Sequence, residues 1–302
     1  MNLYNSILGS MYGQAIGDAL GEPVEGMSPI QIKEIYGRVE DYLHTPKITD
    51  DTLLTMLVVQ SILENNGKVN RLHIAKTILQ NKPKIPRIGP TTARSLLELK
   101  KDPNHLSKTG TTNGAAMRAP AIGWFFSNLE YVIKNTVESS QITHGTSEAI
   151  SGACAIALSV SSAINGESLE NIIDSGLIGA KNGKKFGTKT EIDLETVIEN
   201  AIIRTKTKSL DDVIEEFGNG LETHSAVSAV FAIISVYDDF KDGVLSAVNF
   251  GNDSDTIACM VGAILGARHG INGIPQKWIK EIDENIEFDY KSIAERIVEL
   301  RK

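Results

Sequence analysis

Apolar positions recur at helical spacing over most of this chain. Leu3, Ile7, Leu8, Met11 and Ala15 form one apolar face and predict a first helix over about residues 2–20. Three segments, 51–64, 145–164 and 253–268, are apolar nearly all round, which in a water-soluble chain marks buried central helices. Amphipathic spacing predicts further helices over 70–80, 91–101, 128–139, 167–178, 192–204, 224–237 and 287–301. Val and Ile clusters occur, but few alternate with period two between turn signals. The pattern predicts an all-α protein.

Glycine adds a second pattern. Gly9, Gly13, Gly17 and Gly21 recur every four residues, and Gly262, Gly266 and Gly270 repeat that spacing. Glycine inside a helix costs up to about 1 kcal/mol against alanine, so one per turn needs a compensating gain. Close backbone approach in a tightly packed helical centre supplies it. Loop-like stretches are 81–90, 102–114 and 179–190, the last basic, glycine-rich and expected to be a mobile surface loop. No Pro/Gly/Ser-rich linker and no 20–50-residue repeat divides residues 1–302, so a single domain is expected.

Composition narrows the function classes. The chain has 302 residues with 41% hydrophobic and 23% charged content, ordinary for a folded protein. Thirty basic against thirty-eight acidic side chains give a net charge of −8, which argues against general nucleic-acid or anionic-membrane binding. The nearly apolar stretch 257–267 is about half of the ~20 residues a spanning helix needs, so no membrane segment is expected. The N-terminus lacks a basic leader, and Asp18 and Glu22 stand where a signal peptide would be cleaved. Cys154 and Cys259 sit alone in apolar runs and read as buried free thiols. A reducing cytoplasmic location is expected.

The chemistry signal lies at two helix starts. Thr49-Asp50-Asp51-Thr52 opens the apolar segment 51–64, and Asn252-Asp253-Ser254-Asp255-Thr256 opens the segment 253–268. One acidic residue there caps free N–H groups and favours the helix dipole. Four carboxylates at the buried ends of central helices are far more costly unless cations compensate. Carboxylates with hydroxyls, and no paired His or Cys, suit Mg²⁺ or Mn²⁺ better than Zn²⁺, and facing clusters suit two ions about 3.5–4 Å apart. A calcium loop starting at Asp253 fails, since Ala258 and Ile264 stand where Gly and Glu belong. The aspartate-rich motifs of isoprenoid synthases fail as well, with Leu54 and Met260 in place of Asp and Glu.

These residues, in this order, resemble the ADP-ribosylglycohydrolase family, which includes the dinitrogenase-reductase-activating glycohydrolases. The matching pieces are Gly17-Asp18-Ala19-Leu20-Gly21 with Glu25, Thr49-Asp50-Asp51-Thr52, and Gly89-Pro90-Thr91-Thr92. Asn113-Gly114-Ala115-Ala116-Met117-Arg118, Thr143-His144 and Gly251-Asn252-Asp253-Ser254-Asp255-Thr256 complete the set, over nearly the whole chain. The last motif commonly reads Gly-Gly-Asp-x-Asp-Thr in the family, so Asn252 replaces the second glycine.

The resemblance implies one compact all-α domain with a metal-lined cleft holding two Mg²⁺ or Mn²⁺ ions. By position it implies Thr49, Asp50, Asp51, Asp253, Asp255 and Thr256 as metal ligands and Glu25 as a movable glutamate beside them. Glu25, Asp50 and Asp51 are then the catalytic candidates. Gly110, Thr111, Thr112, Asn113 and Gly114, with Asp50 and His144, resemble the family's ADP-ribose contacts. The loop 109–114 also precedes an apolar segment, so its N–H groups beside a helix N-terminus would suit a diphosphate. Arg118 either serves the site or pairs with a buried Asp, for which Asp18 is the candidate.

The activity implied is hydrolysis of the anomeric bond between ADP-ribose and an acceptor, a protein side chain or a small molecule. Catalytically silent ADP-ribose-binding or structural, crystallin-like members share the fold, and the complete ligand set favours an enzyme. The acceptor atom is not legible.

Overall fold

The computed structural model describes residues 2–302, and among them sixteen α-helices occur with no strand longer than an isolated bridge. The first third carries α1 (Leu3–Gly21), α2 (Pro29–Tyr36), α3 (Asp50–Glu64), α4 (Arg71–Asn81) and α5 (Pro90–Lys101). The middle carries α6 (Pro120–Phe125), α7 (Leu129–Ser140), α8 (Ser147–Ile164), α9 (Leu169–Gly183) and α10 (Leu194–Thr205). The rest is α11 (Leu210–Phe217), α12 (Thr223–Val236), α13 (Phe240–Asn249), α14 (Ser254–His269), α15 (Gln276–Asn285) and α16 (Tyr290–Leu300). One apolar core runs through them from Ile7 to Ile297.

Each helix predicted from periodicity is present, with ends shifted by a few residues. Five more, α2, α6, α11, α13 and α15, escaped the sequence reading. They span six to ten residues, too few turns for a periodic stripe to stand out. The segment 179–190 is not a free loop. Helix α9 runs on to Gly183, and the remainder is tied down where Thr188 N–H donates to Gly145 O and Ser147 N–H donates to Thr188 O, both at 2.8 Å.

The all-round apolar segments are central. All of α8 is buried; at eighteen residues it is long and apolar enough to cross a membrane, contrary to the sequence reading that no segment is, yet here it is a core helix. Cys154 and Cys259 are free and buried, as expected.

The glycine pattern explains how the site is assembled. Helices α1 and α14 run antiparallel with their glycine faces together. A Cβ added at Gly9, Gly13 or Gly17 would overlap the carbonyls of Gly266, Gly262 and Ala258 in turn, and one at Gly21 would overlap the Asp255 backbone. Only hydrogen at these positions allows such approach. The register places the C-terminal end of α1, with Asp18, beside the start of α14, with Asp253 and Asp255.

Candidate active site

The N-terminus of α3 meets that junction. Thr49 is the N-cap of α3, its hydroxyl accepting from Asp51 N–H at 3.2 Å. Asp18 reaches across from α1 and takes Thr49 N–H at 3.0 Å, Thr52 N–H at 3.1 Å and the Thr52 hydroxyl. One buried carboxylate thus caps a second helix and fixes where Asp50 and Asp51 begin. On the Asp51 carboxylate, Oδ2 accepts from the Thr49 hydroxyl at 2.8 Å and Oδ1 from the Thr256 hydroxyl at 3.0 Å, joining α3 to α14.

The turn into α14 is locked as well. Gly251 and Asn252 both have positive φ, 64° and 52°, a conformation that asparagine tolerates better than most residues. Asn252 therefore occupies the family's glycine position without disturbing the turn. Its N–H donates to Met27 O and its carbonyl accepts from Gly26 N–H, both at 2.7 Å, which ties the turn to the segment carrying Glu25. Glu25 follows a 3-10 turn, Glu22–Val24, and lies on a loop as Pro23 suggested. Arg87, itself at φ 48°, bonds the Glu25 and Glu22 carboxylates from the 81–90 loop.

Carboxylate oxygens of Asp18, Asp51 and Asp255 lie within 4.8 Å of one another, and so do those of Glu25, Asp253 and Asp255. Asp255 belongs to both groups. Burial first, then the Asp255 charge, pushes the Asp51 carboxyl well above its ordinary range; burial and then Asp253 do the same to Asp255. Asp50 is pushed up to about 7 by burial and then by Asp18. Asp253 is pushed up to about 6 by burial, opposed by a hydrogen bond from the Asn113 side chain. Burial likewise raises Asp18 to about 6 against its threonine donors. Such crowding of hard oxygen donors is relieved by a divalent cation, and carboxylates with the Thr49 and Thr256 hydroxyls are the donor chemistry of Mg²⁺ or Mn²⁺.

Apart from Asp18 and the expected ligand Thr49, whose hydroxyl is engaged with Asp51, these groups line a cleft of about 410 Å³. Glu25, Asp50, Asp51, Asp253, Asp255 and Thr256 stand on its acidic side, and Thr112, Asn113, Gly114 and His144 on another wall. His144 is buried, with Nδ1 2.8 Å from the Thr143 hydroxyl and Nε2 3.0 Å from the Thr112 hydroxyl. Burial and then the Arg118 charge hold its pKa well below the usual histidine range, so the imidazole is neutral. Gly110 and Gly114 make room for this ring, since a Cβ on either would press on it.

Several expectations change in detail. Gly110 and Thr111 are absent from the cleft lining; their carbonyls accept from the Thr146 and Thr223 hydroxyls. The loop 109–114 opens not a helix but a 3-10 turn, Asn113–Ala115, and α6 follows only at Pro120. Arg118 does not pair with Asp18; its donors go to Gly114 O, Ser139 O, Ser140 O and the Thr143 hydroxyl. Thr91, Arg87 and Leu221 line the cleft without having been singled out for the site. Only proximity in the fold reveals them, although Thr91 lies within the Gly89-Pro90-Thr91-Thr92 motif.

The all-α scaffold thus carries an acid-lined cleft at the junction of three helix ends. The family model for ADP-ribosylglycohydrolase matches residues 1–302, and the chain belongs to that family. It is 30% identical to the uncharacterized protein YegU of Escherichia coli (strain K12), over 98% of this chain and 97% of that protein. It is 25% identical to the ADP-ribosylhydrolase ARH3 of Mus musculus, over 89% of this chain and 85% of that one. A solved structure described as an ADP-ribosylglycohydrolase-related protein complex shares the fold, with TM-score 0.77 and 22% identity over 100% of this chain and 99% of that one.

Proposed function

We propose that this hydrolase cleaves the bond between the ribose anomeric carbon of ADP-ribose and an acceptor, a protein side chain or a small molecule, with two Mg²⁺ or Mn²⁺ ions. Thr49, Asp50, Asp51, Asp253, Asp255 and Thr256 would hold the ions. The observation that carries this reading is the sharing of Asp255 by two carboxylate groups, each within 4.8 Å. Two neighbouring clusters of hard oxygen donors that share a residue would suit a pair of adjacent cations. When bound, the ions would supply positive charge that orients the ribose hydroxyls and makes water more acidic.

The chain's own residues divide the remaining work. Asp18 holds the start of α3, so Asp50 and Asp51 face the cleft at fixed positions. Glu25 is placed beside Asp253 and Asp255 yet is partly exposed on a loop. That position suits a group that takes a proton from the attacking water or returns one to the leaving atom. Asn113 ties the ligand-facing loop to Asp253. Thr112, Gly114 and His144 form the wall against which the rest of ADP-ribose would lie.

The test is incubation of the pure protein with arginine-, serine- and acetyl-linked ADP-ribose, with Mg²⁺ or with a chelator. Release of ADP-ribose from one of these only in the presence of Mg²⁺ is expected. Release that survives chelation would remove the metals from the reaction, and no release from any of the three would remove these acceptors.

A further inference from the structure

Arg118 is a buried cation whose side-chain partners include no carboxylate. Its Nη1 donates to Gly114 O at 2.6 Å and its Nη2 to the Thr143 hydroxyl oxygen at 2.5 Å, while Nε has no partner. From Thr143 a line of side chains leads to the cleft. The Thr143 hydroxyl meets His144 Nδ1, His144 Nε2 meets the Thr112 hydroxyl, and the Thr112 hydroxyl meets that of Thr91 at 3.2 Å.

We propose that Arg118 is a positioning residue which, through Thr143, locks His144 in the tautomer protonated on Nε2 and so turns the Thr91 hydroxyl into a donor aimed at an acceptor oxygen of the ligand. The direction follows from what each group can donate. Guanidinium has no acceptor, so the Thr143 oxygen accepts from Arg118. The one hydroxyl proton of Thr143 then goes to its other neighbour, Nδ1 of His144, because a buried donor left unpaired is costly. A neutral imidazole accepting at Nδ1 carries its proton on Nε2. Nε2–H donates to Thr112, whose own proton passes to the Thr91 oxygen. The Thr91 proton is then the free end of the line, and Thr91 lines the cleft. A site built this way offers its free proton to a phosphoryl or hydroxyl oxygen of the ligand at that point.

The identity of the ligand rests on the ADP-ribose reading given above; the tautomer does not. Histidine-selective ¹⁵N labelling tests the tautomer, with His144 among the six histidines assigned by the signal lost in His144→Asn. Wild-type protein should show Nε2 protonated and Nδ1 bare. Thr143→Val should abolish that preference, and Thr143→Ser, which keeps the hydroxyl, should restore it. A wild-type ring protonated on Nδ1 overturns the proposal even if Thr143→Val does not fold. Calorimetry with ADP-ribose and Mg²⁺ tests the donor. Thr91→Val should weaken binding by about 3- to 10-fold, the range for one hydrogen bond, and Thr91→Ser should not. Equal affinity for Thr91→Val overturns the donor role. Failure of the wild type to bind ADP-ribose overturns the donor role and the proposed function together, and leaves the tautomer to the labelling result.

Discussion

Gly21, in the last turn of α1, lies so close to the backbone of Asp255 that a methyl group at position 21 would overlap the Asp255 N and Cα. A helix–helix contact therefore sets the position of the carboxylate shared by both acidic groups. Gly21→Ala should push the start of α14 away and weaken Mg²⁺ binding by at least tenfold, with a stability loss of about 1–3 kcal/mol from overpacking. Calorimetric titration of Mg²⁺ and urea unfolding measure the two effects. Wild-type Mg²⁺ affinity in this variant would show that the α1–α14 contact does not set the site.

Asp255 and Asp50 should separate in metal affinity. Asp255 is within 4.8 Å of partners in both carboxylate groups, whereas Asp50 lines the cleft but joins neither. Asp255→Asn should lose both ions and all Mg²⁺-dependent turnover. Asp50→Asn should also lose turnover but retain more of the Mg²⁺ affinity. Full activity in either variant, or tighter Mg²⁺ binding by Asp255→Asn than by Asp50→Asn, would contradict this assignment.

The elevated carboxyl groups make stability depend on pH. Asp50 is raised to about 7, and Asp18 and Asp253 to about 6, above the roughly 3.9 of a free Asp. Between the unfolded and folded values the folded state binds more protons, so stability falls as pH rises from about 4 through about 7. Metal-free protein should melt at a higher temperature near pH 5.5 than near pH 7.5. Saturating Mg²⁺ should raise the melting temperature most near pH 7.5, because the proposed ions would bind the deprotonated cluster. Thermal scans with chelator and with Mg²⁺ check this, and a chelated protein that gains stability as pH rises would contradict it.

The sequence exposes the two carboxylate-bearing helix starts because Asp-Asp and Asp-x-Asp ahead of apolar helices need a reason beyond capping. It exposes the glycine stripe for a similar reason. It does not expose the part of Asp18, because a lone Asp in a helix carries no sign of which distant N–H groups it will cap; its partners Thr49 and Thr52 lie more than thirty residues away. Arg118 misleads for a related reason: charge suggests an acidic partner, yet carbonyls and a hydroxyl satisfy it. Short helices such as α6 and α11 escape because six and eight residues do not establish a period.

Glu25 differs from the four aspartates in how it is held. Its carboxylate sits with those of Asp253 and Asp255, but its backbone is on the loop after Pro23 and its side chain is about one-third exposed, bonded to Arg87. A carboxylate on such a segment can move as ligand enters, whereas Asp51 and Asp255 stay fixed by their helices. Glu25→Gln keeps the shape and removes the proton-transfer group. Binding of Mg²⁺ and ADP-ribose should stay within a few-fold of wild type, while turnover should fall by roughly 10²- to 10⁴-fold, as for loss of an acid–base group. Arg87→Ala, which frees the glutamate without removing it, should lower turnover much less than Glu25→Gln. Single-turnover release of ADP-ribose, measured beside calorimetric affinities for both variants, separates these outcomes. Normal turnover by Glu25→Gln would pass the proton transfer to Asp50 and Asp51.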